Sequence, residues 1–204
     1  MGQVLALQDL IASRQLWRGR TTAPIESAQP TGHVLLDSAL PTGGWPEGSL
    51  TEILLPADGV GEIDLLVPTL VRLTQAKQRV VLVTPPYVPY PPAWQARGVS
   101  MAYVHVIDAE SMDALWALEQ CLRSGSCAAV IGWPRKIDHA GLRRLQVAAK
   151  TGNTLGFVFR DRCHAMQASP AALRLEIAVD RAVVVRKCQG GAVPTRMYPI
   201  VQAQ

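Results

Sequence analysis

Long apolar runs are missing from this 204-residue chain: no stretch approaches 18 consecutive hydrophobic residues, which excludes a membrane-spanning helix. Aromatic residues are scarce at 5%, with two Phe, so any core must be built mainly from Leu, Val, Ile and Ala. The four cysteines (Cys121, Cys127, Cys163, Cys188) contain no C-x-x-C pair and the histidines do not cluster, so no zinc site is expected. An apolar patch near the start is interrupted by Asp9 and Arg14 and has no basic segment before it, so no signal peptide is expected. The M-G start lacks Ser or Thr at position 6, which removes N-myristoylation. Reduced thiols without an export signal point to the cytoplasm.

What is present suits one core domain. The chain is 49% hydrophobic and 18% charged, which argues against disorder. The net charge of +4 is uneven. Residues 1–102 carry 7 Lys/Arg against 8 Asp/Glu, and residues 103–204 carry 13 against 8. The basic half permits a nucleic-acid or acidic-protein partner without demanding one.

Residues 4–18 read as an amphipathic helix with Leu7, Leu10 and Ile11 on one stripe, and 21–30 as a polar linker with two prolines. We therefore divide the chain into an arm, 1–30, and a core, 31–204. Turn-rich sequence leads to a strand at 49–54, a glycine-containing loop and a helix at 62–77. Strands follow at 79–84, 103–107, 128–133 and 155–159, with helices at 111–124, capped by Ser111, and 138–151, capped by Asp138 and ended by Gly152. PPYVPYPP (85–92) is a stiff loop, since Pro supplies no N–H and fixes φ, and Trp94 opens the short helix after it. This alternation predicts an α/β fold with a doubly wound, mostly parallel sheet. Alternating and β-branched segments at 173–179, 182–187 and 196–201 predict a C-terminal antiparallel extension.

A strand, a glycine loop and a helix in succession present backbone amides to phosphate. The loop here carries Gly59 and Gly61, but Glu62 and Ile63 stand where a working P-loop has Lys and Ser or Thr. A carboxylate in the lysine position repels a triphosphate. This is a degenerate P-loop, and ATP hydrolysis is not expected.

The run TGHVLLDSALPTGGWPEGSLTEI resembles the segment preceding the P-loop in the RecA recombinase family. LRSGSCAAVIGW (122–133) and AAKTGNTLGF (148–157) look like the SulA cell-division inhibitors. With the opening LIASRQLWRGR, the whole is similar to the ImuA group of RecA-related accessory proteins. That resemblance implies a RecA-like fold, no enzymatic activity, no cofactor and a role in SOS-induced translesion synthesis. It also implies an ImuB-like Y-family partner, an error-prone polymerase subunit and self-association through the arm. The alternative is a SulA-like inhibitor that binds the tubulin-like division GTPase. Against the RecA pattern, the water-activating acid should fall near Pro85 or Pro86 and the metal-supporting acid near Gly132-Trp133, and neither position is acidic.

His105, within a strand, is expected to be an interior side chain, and His139 and His164 to be solvated. Asp108 and Glu110 lie at the strand edge where sites usually form, and read first as loop solvation and helix N-terminal charge. Loops following two parallel strands carry Trp133, Arg135, Lys136, Arg160 and Arg162, an expected cationic edge for DNA or an acidic partner.

Overall fold

The computed structural model describes residues 29–200, apart from the side chains of Ser111 and Met112. The predicted helix at 4–18 and nearly all of the arm lie outside the described residues. Eight strands form one mixed sheet: β1 (Leu50–Leu55), β2 (Val80–Val83), β3 (Val104–Ile107), β4 (Ala129–Gly132), β5 (Leu155–Asp161), β6 (Leu173–Ile177), β7 (Ala182–Cys188) and β8 (Met197–Pro199). Their spatial order is β3-β2-β4-β5-β1-β6-β7-β8. β1 to β5 run parallel and β6 joins β1 in parallel as well. The antiparallel extension is thus β7 and β8 alone.

The helices are α1 (Val34–Ala39), α2 (Glu62–Gln75), α3 (Pro91–Ala96), α4 (Ser111–Arg123) and α5 (His139–Gly152). Alternation along the strands divides the core into two layers. Ile53, Leu55, Leu82, Ile131, Phe157 and Phe159 pack with Leu65, Leu66, Leu70 and Leu73 of α2. Val81, Val83, Val130 and Val158 pack on the other face with Leu118 and Leu122 of α4 and Leu142 and Leu145 of α5. A strand covered on both faces has no need for polar residues, which is why β2 reads VVLV. Fully buried Trp45 stands edge-on to Phe157, centroids 5.0 Å apart, and its Nε1–H donates to Thr69 Oγ1 at 2.7 Å. That bond satisfies the indole proton in an apolar setting.

Four local expectations change. α1 occupies part of what reads as turn-rich sequence. Trp94 lies inside α3, which starts at Pro91. Glu110, not Ser111, holds the N-cap position of α4, while Asp138 caps α5 by accepting from Gly141 N at 2.7 Å. α5 ends at Asn153 in the left-handed region (φ 49°), and Gly152 is its last helical residue. A Cβ on Gly152 would sit 2.0 Å from the Leu122 carbonyl oxygen, so the ends of α4 and α5 meet here with no room for a side chain.

Candidate functional site

The C-terminal ends of the parallel strands open onto a cleft of about 860 Å3. Residues after β1 (Asp58), β2 (Thr84), β3 (Asp108, Glu110) and β4 (Arg135) line it, with Asp161 at the end of β5 and His164 beyond it. Ligands of open α/β sheets bind at this edge, and four exposed carboxylates make it predominantly acidic. Thr84 adopts φ 48°, a costly conformation for a β-branched residue, while its amide donates to the Ile107 carbonyl at 2.8 Å. Asp161 accepts the Cys163 backbone N–H at 2.6 Å, and that bond holds its carboxyl below the ordinary value of 3.8.

The glycine loop bends into the start of α2 through Gly61, whose φ of 87° suits glycine alone. Glu62 is buried, and its Oε1 accepts the Gly59 N–H at 3.2 Å. The carboxylate occupies an amide of the loop itself and brings negative charge to the helix N-terminus, where a phosphate cradle would need neutral or positive surroundings. Asp64, two residues on, pairs with Arg97 at 2.5 Å and with Arg181 from the β6–β7 turn. The Arg181 guanidinium lies against Gly61, so the C-terminal hairpin closes over the loop.

Beneath the cleft is a buried charge cluster. Glu52, fully buried in β1, receives Arg160 Nη1 from β5 at 2.6 Å. Arg174 of β6 faces it from the other side, with Nε 2.9 Å from Oε2 but out of hydrogen-bond alignment. Arg174 Nη2 also donates to Glu52 Oε1 at 3.4 Å, and further guanidinium N–H groups donate to carbonyls, Arg160 to Ile137, and Arg174 to His164, Ala165 and Gln167. Two arginines thus pin the loops after β4 and β5 to the sheet.

The expected cationic edge is therefore divided. Arg135, Lys136 and Arg162 are exposed, whereas Arg160 is buried in this pairing. Trp133 is also buried, stacked on Phe159 with centroids 5.0 Å apart and planes at 27°. His105 departs from the reading as an interior side chain: β3 is an edge strand and leaves it exposed. His139 is exposed as expected and His164 is half-buried, its Nδ1 3.1 Å from Gln167 Oε1. Among the described residues no group of His, Cys, Asp and Glu could hold a metal ion, and no helix is long and apolar enough to cross a membrane.

Beside the cleft runs a smaller, mainly apolar groove of about 250 Å3, lined by Ile63, Leu82, Trp94 and the proline loop. Its rim exposes Tyr87, Val88 (90% exposed) and Tyr90. A Pro-rich composition shows that this loop is stiff, but not that its apolar side chains face water.

The family model described as "Cell division inhibitor SulA" matches residues 48–156, which hold β1 to β4 and α2 to α5. SulA of Edwardsiella piscicida is 33% identical over 100 residues, covering 48% of this chain and 60% of that protein. SulA of Photorhabdus laumondii is 34% identical over 67 residues, 33% of this chain and 38% of its own length. SulA of Yersinia enterocolitica is 28% identical over 116 residues, 55% of this chain and 68% of that protein. The chain thus spans less than two thirds of the first two relatives. A crystal structure of SulA from Pseudomonas aeruginosa aligns at 23% identity with a TM-score of 0.46, over 54% of this chain and 96% of that one. These matches overturn the assignment to the ImuA group. The translesion-synthesis role falls with it, together with the ImuB-like and polymerase partners and the DNA contact. The two segments at 122–133 and 148–157 that pointed to SulA lie almost wholly within the matched region.

Proposed function

Because the chain belongs to the SulA family of cell division inhibitors, we propose that it is a cytoplasmic, non-enzymatic inhibitor of cell division, acting in the SOS response, that binds the tubulin-like division GTPase and blocks its polymerisation. The observation that carries this reading is the family match across 48–156, which embraces the groove and the part of the cleft built by β1 to β4. A binding role fits that edge. Its glycine loop is occupied by Glu62, and its groove presents exposed aromatic and aliphatic side chains of the kind that anchor protein interfaces. On this reading Tyr87, Val88 and Tyr90 supply the apolar anchor, with Arg135, Lys136 and Arg162 as a cationic rim for acidic side chains of the partner. Trp133 and Arg160 act from below, holding the loops in place.

The core from residue 31 onward is on this view a degenerate RecA-like domain, and residues 1–30 are an appended arm. Support for the first part comes from the parallel sheet with helices on both faces and the P-loop-like turn that has lost its lysine.

The test is to produce the chain in a rod-shaped bacterium and to add the purified protein to its polymerising division GTPase. Filamentous cells and a dose-dependent loss of light scattering are expected. Normal division with unchanged polymerisation, from soluble folded protein, would overturn the proposal.

A further inference from the structure

The described residues begin with Gln29, which is held against the C-terminal half of α2. Its Oε1 accepts from Arg72 Nη2 at 2.8 Å, and its carbonyl accepts from Trp45 N at 2.8 Å. From there the backbone follows α2 back toward its start: Gly32 is pressed against Pro68, and His33 Nε2 lies 3.1 Å from the Leu65 carbonyl oxygen. Ile63, at the beginning of α2, is a wall of the apolar groove. A helix rises about 1.5 Å per residue, so Arg72 and Ile63 are about 14 Å apart along the axis.

The linker 19–28 is long enough to carry the arm to that groove, since ten extended residues span up to about 33 Å. The arm's chemistry is divided as this surface is. Leu7, Leu10 and Ile11 form its apolar stripe, and Arg14, Arg18 and Arg20 follow, with no acidic residue from 10 to 25. On the surface, the groove with Tyr87, Val88 and Tyr90 exposed at its rim adjoins the acidic cleft, Pro85, Pro86 and Trp133 being walls of both. Asp58, Asp108, Glu110 and Asp161 stand exposed in that cleft against Arg135. An apolar seat beside an acidic one matches an apolar stripe followed by three arginines, with the charges fixing the direction in which the segment lies.

We propose that the arm docks on its own molecule, with Leu7, Leu10 and Ile11 seated in the groove and Arg14, Arg18 and Arg20 over the acidic cleft. A tethered segment meets its site at a millimolar effective concentration, so contacts too weak to hold a free peptide keep it in place. The docked arm covers Tyr87, Val88 and Tyr90, the anchor assigned above to the division GTPase. Its consequence for that partner rests on the division-inhibitor reading: the partner must displace the arm, and its apparent affinity falls with the fraction of molecules whose groove is open.

Hydrogen exchange of the full chain, read by mass spectrometry, tests the docking without the partner. Amides of 5–16 should exchange about tenfold more slowly in the parent than in Val88→Asp, whose exposed position leaves the fold intact. Asp108→Lys with Glu110→Lys should also release the arm, and adding Arg14→Glu with Arg18→Glu should restore part of the protection. An unprotected arm in the parent, protection that Val88→Asp leaves unchanged, or protection that grows with protein concentration, as docking on a second copy requires, would each overturn the proposal. Leu7→Asp with Ile11→Asp should then inhibit polymerisation of the division GTPase at a severalfold lower concentration than the parent. Equal potency would overturn the competition between arm and partner. If parent and variant both fail to inhibit while the parent's arm is protected, the division-inhibitor reading falls and the docking stands.

Discussion

The Glu62 carboxylate accepts the Gly59 amide at 3.2 Å, so the side chain that replaces the P-loop lysine also fills part of the loop it disables. An inward carboxylate at a helix N-terminus is stabilised by the helix dipole, and the same placement repels phosphate. Millimolar Mg-ATP should therefore leave the melting temperature unchanged and should not be hydrolysed. A ligand at a hundred times its Kd would add about 2.7 kcal/mol of stability, a shift that thermal melting detects easily. Glu62→Gln, which keeps an acceptor for Gly59, should cost less than Glu62→Ala, where the loss is about 1 kcal/mol in urea unfolding.

Glu52, Arg160 and Arg174 form the cluster with the largest predicted stability effects. Glu52→Ala leaves two guanidiniums buried without a counter-charge, and should destabilise by about 3–5 kcal/mol in denaturant titration. Replacing Arg160 and Arg174 by Met in the same variant should restore part of that loss, because the uncompensated charge is then gone. If the triple variant were no more stable than Glu52→Ala, lost packing rather than stranded charge would be the cause.

The alternation of strands and helices was legible because both-face burial leaves valine-rich strands and amphipathic helices between them. The wide-ranging pairings were not. Arg174 meets Glu52 across 122 residues of sequence, and nothing near either residue announces the other. Arg160 read as rim because a strand-end arginine ordinarily reaches water, yet a carboxylate on the neighbouring strand draws it inward. His105 read as interior from its strand alone; only the strand order reveals that β3 is an edge. α1 was hidden by its six-residue length and the Pro and Gly residues that follow it. The ImuA assignment failed because the opening segment LIASRQLWRGR and most of the TGHVLLDSALPTGGWPEGSLTEI run that favoured it lie outside the matched region, whereas SulA similarity fills 48–156.

Asp138 offers a local test of how α5 is set. Its carboxylate satisfies the Gly141 amide, one of the four N–H groups that a helix start leaves without a partner. Asp138→Ala should cost about 1 kcal/mol, and Asp138→Asn much less, since the amide oxygen can still accept. Urea midpoints of the two variants measure this directly.

The last prediction concerns the groove and its rim, and it rests on the division-inhibitor reading. Tyr87 and Tyr90 are more than half exposed, so serine at both positions removes little buried area and should leave the melting temperature nearly unchanged. If these rings anchor the partner, the same double variant should lose about 2 kcal/mol of binding or more, roughly thirtyfold in Kd, and with it the inhibition of polymerisation. Arg135→Ala with Lys136→Ala should behave differently. Exposed rim charges act mainly on encounter, so the association rate should fall severalfold at low salt while dissociation changes little, and the effect should fade as salt rises. Surface plasmon resonance at two ionic strengths separates the two outcomes. A tyrosine variant that stays folded and inhibits as strongly as the parent would remove the groove from the interface and move the search to the acidic cleft beside it.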